Sequence, residues 1–163
     1  MSNLPNAAIT AWLDQEDAFF AEMIRQHGVC IQSVGGDPAV HQPPFAYTVG
    51  LFGVAHPELL VVGMPEPTAQ AVLNDVAERV RAGRLLVPGE VLEFTGWSHR
   101  VVVEVVPNPG QIAFSANRYY RLPDDETVDL LQLTYDDLFG RFPGDDGYSR
   151  PAWLQPRPGE LRA

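Results

Sequence analysis

Lysine is missing altogether from the 163 residues, and all 11 basic side chains are arginines. Schiff-base catalysis by lysine is therefore excluded. Positive charge of any kind is scarce, because 21 Asp and Glu leave a formal charge of −10 at pH 7. Nucleic acids and anionic membranes both require clustered Lys and Arg, so neither is expected as a partner. Cysteine is reduced to Cys30, which rules out an intramolecular disulfide and gives no sign of an oxidising compartment. Within Val29-Cys30-Ile31 it reads as a small buried hydrophobe. Long apolar runs are absent too: a stretch such as Leu59 to Met64 is far short of the roughly 20 residues that cross a bilayer. Met1 to Asp17 has acidic residues and no basic stretch, so no signal peptide is read there and a cytoplasmic protein is expected. A glycine-rich phosphate loop, paired zinc cysteines, HExxH and GxSxG are all missing. No metal or cofactor is predicted from that set.

What remains is the composition of a folded globule, 45% hydrophobic and 20% charged, with 15 prolines to reverse the chain. The length suits one domain over residues 1–163, with 1–12 and 151–163 as flexible tails. Asp14 is placed as the cap of a helix that brings Phe19, Phe20, Met23, Ile24 and His27 onto one face and stops at Gly28. Strands are expected at Val29–Val34, Phe45–Val49, Leu59–Val62, Val91–Phe94, Arg100–Val106 and Val128–Leu133. Leu59-Leu60-Val61-Val62, apolar throughout, suits a central strand covered on both faces. Val72, Leu73, Val76 and Val80 make the stripe of a helix over Thr68–Ala82, and a short helix is favoured in Ile112–Tyr120. The fold class is α+β: one mixed or mostly antiparallel sheet with two to three helices packed on it. The proline-rich end from Pro151 is expected to lie along the surface or fray.

The densest constellation is Pro43-Pro44-Phe45-Ala46-Tyr47-Thr48-Val49-Gly50-Leu51 followed by His56-Pro57-Glu58-Leu59. Tyr47 and Thr48 point to opposite faces of a strand, so one hydroxyl is expected in the core and the other on a cleft. Gly50 lets the chain turn or lets a ligand approach the backbone. His56 and Glu58, two apart, share a face of an extended chain, where the carboxylate can orient the imidazole as a general base. The competing reading makes Pro57 a loop-former, His56 an exposed turn residue and Glu58 a strand cap. His27 reads first as a helix C-cap. Arg118 and Arg121 beside Tyr119 and Tyr120 are candidates for an anionic ligand. Asp136, Asp137, Asp145 and Asp146 form an acidic loop without the alternation of a calcium site, and a solvated loop is expected.

Taken together, PPFAYTVGL, HPEL, His27-Gly28, Gln132, the Asp136–Pro143 loop and Gln155-Pro156 resemble the bacterial family termed domain of unknown function 4262. The resemblance implies a bacterial cytoplasmic α+β protein and supplies no mechanism. A remoter likeness to suppressor-of-fused-like domains implies a non-enzymatic binding module, immunity-like or regulatory, whose acidic surface meets a basic protein. A second, to the flavin-reductase-like split barrel, implies FMN held by Thr48, backbone amides and Arg100 or Arg118. A small-molecule enzyme with its site around Tyr47, Thr48, His56 and Glu58 is the third reading. We rank the binding module first, with a protein or a small molecule as its partner and a homodimer compatible with it.

Overall fold

A sheet whose central strands are apolar on both faces must be covered on both, and that requirement sets the architecture. The computed structural model describes residues 6–163. Its elements are α1 (Asn6–His27), β1 (Cys30–Val34), β2 (Phe45–Val49), β3 (Glu58–Val62), α2 (Glu66–Arg81), β4 (Val91–Phe94), β5 (Trp97–Val105), α3 (Phe114–Tyr119) and β6 (Leu130–Tyr135). The six strands form one mixed sheet in the order β1-β2-β3-β6-β5-β4. Every neighbouring pair is antiparallel except β3–β6, which is parallel. The expected α+β class is what the chain adopts. The sheet is open, with edges at β1 and β4, so the split-barrel alternative finds no barrel here.

Alternation divides the core between the two faces. Ala46, Leu59, Val61, Val101, Val103, Leu131 and Leu133 pack with the α2 stripe Val72, Leu73, Val76 and Val80. Phe45, Tyr47, Leu60, Val62 and Leu130 pack on the opposite side with Phe20 of α1 and Ala116 of α3. Each buried Val, Leu or Phe contributes about 1.5–3 kcal/mol, so these two layers dominate stability. β2, β3 and β6 are buried at every position, their polar residues Thr48, Glu58, Gln132 and Thr134 included, as central strands covered on both faces require.

Several boundaries differ from the sequence expectation for local reasons. α1 starts at Asn6, so Asp14 lies inside the helix rather than capping it. The expected tail over 1–12 is helical from Asn6, and residues 1–5 lie outside the described residues. Of the predicted α1 face, Phe20 is buried and Met23 and Ile24 are half-buried, but Phe19 and His27 are exposed. α2 takes in Pro67, which the first turn of a helix tolerates because its N–H has no acceptor there. Trp97 and Ser98 belong to β5 rather than to a loop, because Thr95-Gly96 alone makes the turn that pairs Phe94 with Trp97.

The C-terminal segment is seated on the domain. Leu154 carbonyl oxygen crosses Gly63 so closely that a Cβ there would lie 2.2 Å away. Gln155 is buried and pairs with β6 through its side chain: Tyr135 N–H donates to Oε1 at 3.0 Å, and Nε2 donates to Tyr135 carbonyl at 2.9 Å. Leu161 is buried as well, and Trp153 stacks on His41 with centroids 5.1 Å apart. Proline prevents regular structure here, but not packing.

Candidate functional site

The bend between β2 and β3 is organised by one carboxylate. Gly50, at φ +142°, starts a 3-10 turn over Leu51–Val54. The first N–H groups of any helical turn lack an intrahelical acceptor. Here Glu58 supplies it: Gly50, Leu51 and Phe52 N–H donate to its two oxygens at 3.0, 2.9 and 3.1 Å. Thr48 Oγ1 donates to Glu58 Oε1 at 2.8 Å and accepts from Leu59 N–H at 2.9 Å. The hydroxyl thus takes over at the point where the β2–β3 ladder, last paired at Tyr47 and Leu60, ends. Thr48 and Glu58 are both 0% exposed, so no ligand reaches them in this conformation. Burial pushes the Glu58 carboxyl above its ordinary value, and the four donors oppose that rise. Since all four neighbours donate, the ionised carboxylate is the form this pocket fits.

This arrangement is an anion nest filled by the chain's own side chain. The backbone amides that a flavin phosphate would need are already engaged. Gly50 is required by close chain packing rather than by a ligand, since a Cβ there would lie 2.9 Å from Gly28 carbonyl oxygen.

His56 does not join Glu58. Its Nδ1 lies 2.8 Å from Pro57 carbonyl oxygen, and its Nε2 lies 3.4 Å from Leu86 N–H. A carbonyl only accepts and an amide N–H only donates, which selects the neutral ring protonated at Nδ1. Both nitrogens are therefore engaged with backbone. The expectation that the two side chains share an extended face fails because the strand begins only at Glu58, leaving His56 in the preceding loop. His56 is buried, not an exposed turn residue, although it borders a cleft of about 360 Å³ with Phe52, Ala55 and Thr127.

The other candidates disperse. Tyr47 and Thr48 are both buried, so neither hydroxyl opens onto a cleft. Tyr47 accepts from Ser115 N–H at 3.0 Å and ties α3 to the sheet. Tyr120 packs on Phe52 in a tilted contact, with centroids 4.6 Å apart. Burial pushes its phenol up and the Glu58 charge adds to the shift, yet its buried hydroxyl completes no hydrogen bond with Glu58 or Gly53. Arg118 pairs with Asp17 at 2.9 Å and Glu16 at 3.5 Å, and Arg121 reaches Asp17 at 3.7 Å. Arg118 thus ties α3 to α1, whereas Arg121, just beyond α3, stays largely exposed. Arg100 pairs with Asp136 at 3.5 Å. The four histidines stand apart, and among the described residues no three His, Cys, Asp or Glu converge as a metal ion requires.

The acidic loop is only partly solvated. Asp145 and Asp146 are exposed, but Asp136 and Asp137 are buried. Asp136 Oδ1 lies 3.0 Å from His99 Nδ1 and accepts from Leu138 N–H at 3.3 Å. Asp137 accepts from the N–H groups of Phe139, Arg141 and Ser149 and from the Ser149 hydroxyl. Burial alone would raise the Asp137 carboxyl, but these donors outweigh it and hold the group well below the usual carboxylate range.

The surface left open lies elsewhere, at the β1 edge. There the end of α1 and one side of α2 flank β1 and enclose a groove of about 680 Å³ that His27 helps to line. Along α1, Ile9, Trp12 and Phe19 are 41%, 62% and 57% exposed. Of this surface the sequence reading singled out only His27, since Phe19 was placed on one helix face with Phe20, Met23 and Ile24, and Trp12 in a tail. The available signal was the spacing of 9, 12 and 19, which recurs on one side of a helix.

No helix among the described residues is long and apolar enough to cross a membrane. No curated protein and no solved structure matches the chain. Residues 23–149 match the family described as domain of unknown function (DUF4262), and the chain belongs to that family.

Proposed function

We propose that this protein is a non-enzymatic binding module that engages another protein through α1 and the neighbouring edge of its sheet. The observation that carries this reading is the exposed apolar side of α1, where Ile9, Trp12 and Phe19 are left open by the other described residues. Aromatic side chains of this kind are enriched at the centres of interfaces. The formal charge of −10 favours a basic partner, as an immunity-like or regulatory protein would meet, and speeds encounter with one. A single cysteine whose thiol is pushed up to about 11 by burial suits a reducing compartment, and we place the protein in the cytoplasm.

The enzyme and flavin alternatives need groups that this fold has committed to itself: Glu58 to three amides and a hydroxyl, His56 to two backbone groups, Arg118 to Asp17. The test of the binding reading is site-specific photo-crosslinking in the cells that make the protein. A crosslinker at position 12 or 19 is expected to trap one discrete protein, and serine at the other of these two positions to lose most of that capture while the melting temperature holds. Equal capture with the serine in place, or no crosslink from either position, overturns the reading.

A further inference from the structure

The groove beside β1 has the parts of a strand-accepting site. Among the described residues β1 pairs with β2 alone, and the backbone groups on its other side have no strand partner there. Extended segments add to such edges through main-chain hydrogen bonds, with alternate side chains reading the two walls. The two walls here differ in chemistry. On the α1 side stand Phe19 and Met23; on the α2 side stand the exposed Gln70, Asn74 and Glu78. A strand laid between them meets one apolar and one polar wall, which matches an alternating sequence in register with the pleat.

Direction follows from the topology. β3 is antiparallel to β2, and β2 to β1, so β3 runs parallel to β1. α2 leaves the Val62 end of β3, beside Val34, and returns to finish at Arg81 beside Gly28. A strand added antiparallel to β1 therefore ends at Cys30, where Arg81 stands. Its guanidinium lies over Gly28 so closely that a Cβ there would fall 1.8 Å from Nη1. Arg79 and Arg84 pair with Asp75 and Glu90. Arg81 makes no ion pair among the described residues.

We infer that this groove receives the extended C-terminal segment of a partner protein, which adds antiparallel to β1 and sets its terminal carboxylate on Arg81. The inference rests on the protein-binding reading and names its recognition mode. An α-carboxylate is ionised at neutral pH and meets a guanidinium through a two-pronged hydrogen-bonded pair. A second copy of the chain is a poorer occupant, because its own β1 edge arrives flanked by two helices that the groove walls oppose.

The probe is a library of random peptides displayed with free C-termini and panned against the full chain. The enriched peptide is then titrated as the acid and as the C-terminal amide, into wild type and into Arg81→Gln. The acid is expected to bind at least about tenfold more tightly than the amide to wild type, and equally to Arg81→Gln. Bound peptide is expected to slow hydrogen exchange of β1 amides. The acid–amide comparison uses the unaltered protein, so an ill-folded variant does not decide it. No enrichment, equal binding of acid and amide, or unchanged β1 exchange overturns the inference. So does a concentration-dependent dimer that slows β1 exchange without peptide, which gives the edge to a second copy. If crosslinks from positions 12 and 19 persist while the peptide test fails, the binding reading stands and this mode falls.

Discussion

The bend from Gly50 to Glu58 and the groove beside β1 adjoin where Gly50 packs on Gly28 and Val29, and they are opposites in use. The bend holds the residue types that usually signal chemistry, a histidine, a glutamate, a threonine and glycines, yet each polar side chain faces backbone or another buried group. The groove is lined mostly by apolar and amide side chains, with His27, Glu78 and Arg81 at no motif spacing, yet it lies open. Residue type alone does not mark a site. What marks it is whether the fold has left a group's bonding capacity unmet.

The sharpest way to break this contrast is to remove the carboxylate. Glu58→Gln places an amide donor among four donors in a fully buried position. The expected loss is about 3–5 kcal/mol, measured by urea unfolding. A loss below about 1 kcal/mol would mean that the bend does not depend on Glu58. Gln155→Ala comes next, since it strips Tyr135 N–H and carbonyl of their side-chain partner. About 2 kcal/mol is expected, and a value near zero would return the C-terminal segment to the status of a tail.

Acid supplies a third test. The folded Asp137 carboxyl sits below its unfolded value of about 3.9. Its contribution is therefore fully present above that value and is lost as pH falls through and below it. Stability measured from pH 6 down to pH 2.5 should decline more steeply in wild type than in Asp137→Asn, and parallel curves would contradict this. The smallest effect is expected on the open side: Trp12→Ser should change stability by no more than about 0.5 kcal/mol, because 62% of Trp12 is already in water.

How much of this was legible follows from the range of the interactions involved. β2 and β4 start and stop where local pattern places them, because Gly50 and Thr95-Gly96 bound them within the sequence itself. β6 begins at Leu130 and runs through Tyr135, two residues beyond the apolar pattern. Its end is fixed from far away, by Gln155 on Tyr135 and by Asp136 N–H donating to Arg100 carbonyl. The first turns of α1 were harder to read, since their apolar side chains Ile9 and Trp12 recur at helical spacing but are exposed rather than buried in this domain's core. At the bend, the spacing of His56 and Glu58 suggested a pair, but the partners of Glu58 are main-chain amides, which every sequence has. The β1 groove needed two helices and a strand edge brought together from residues 19 to 81, and no local pattern encodes that.

Native-state amide hydrogen exchange compares the two regions in one experiment. The amides of Gly50, Leu51 and Phe52 are predicted to exchange only through global unfolding, with protection close to that of β3, while β1 amides facing away from β2 exchange orders of magnitude faster. Rapid exchange at Leu51 and Phe52 alongside a protected β1 edge would invert the contrast and place the accessible site at the bend.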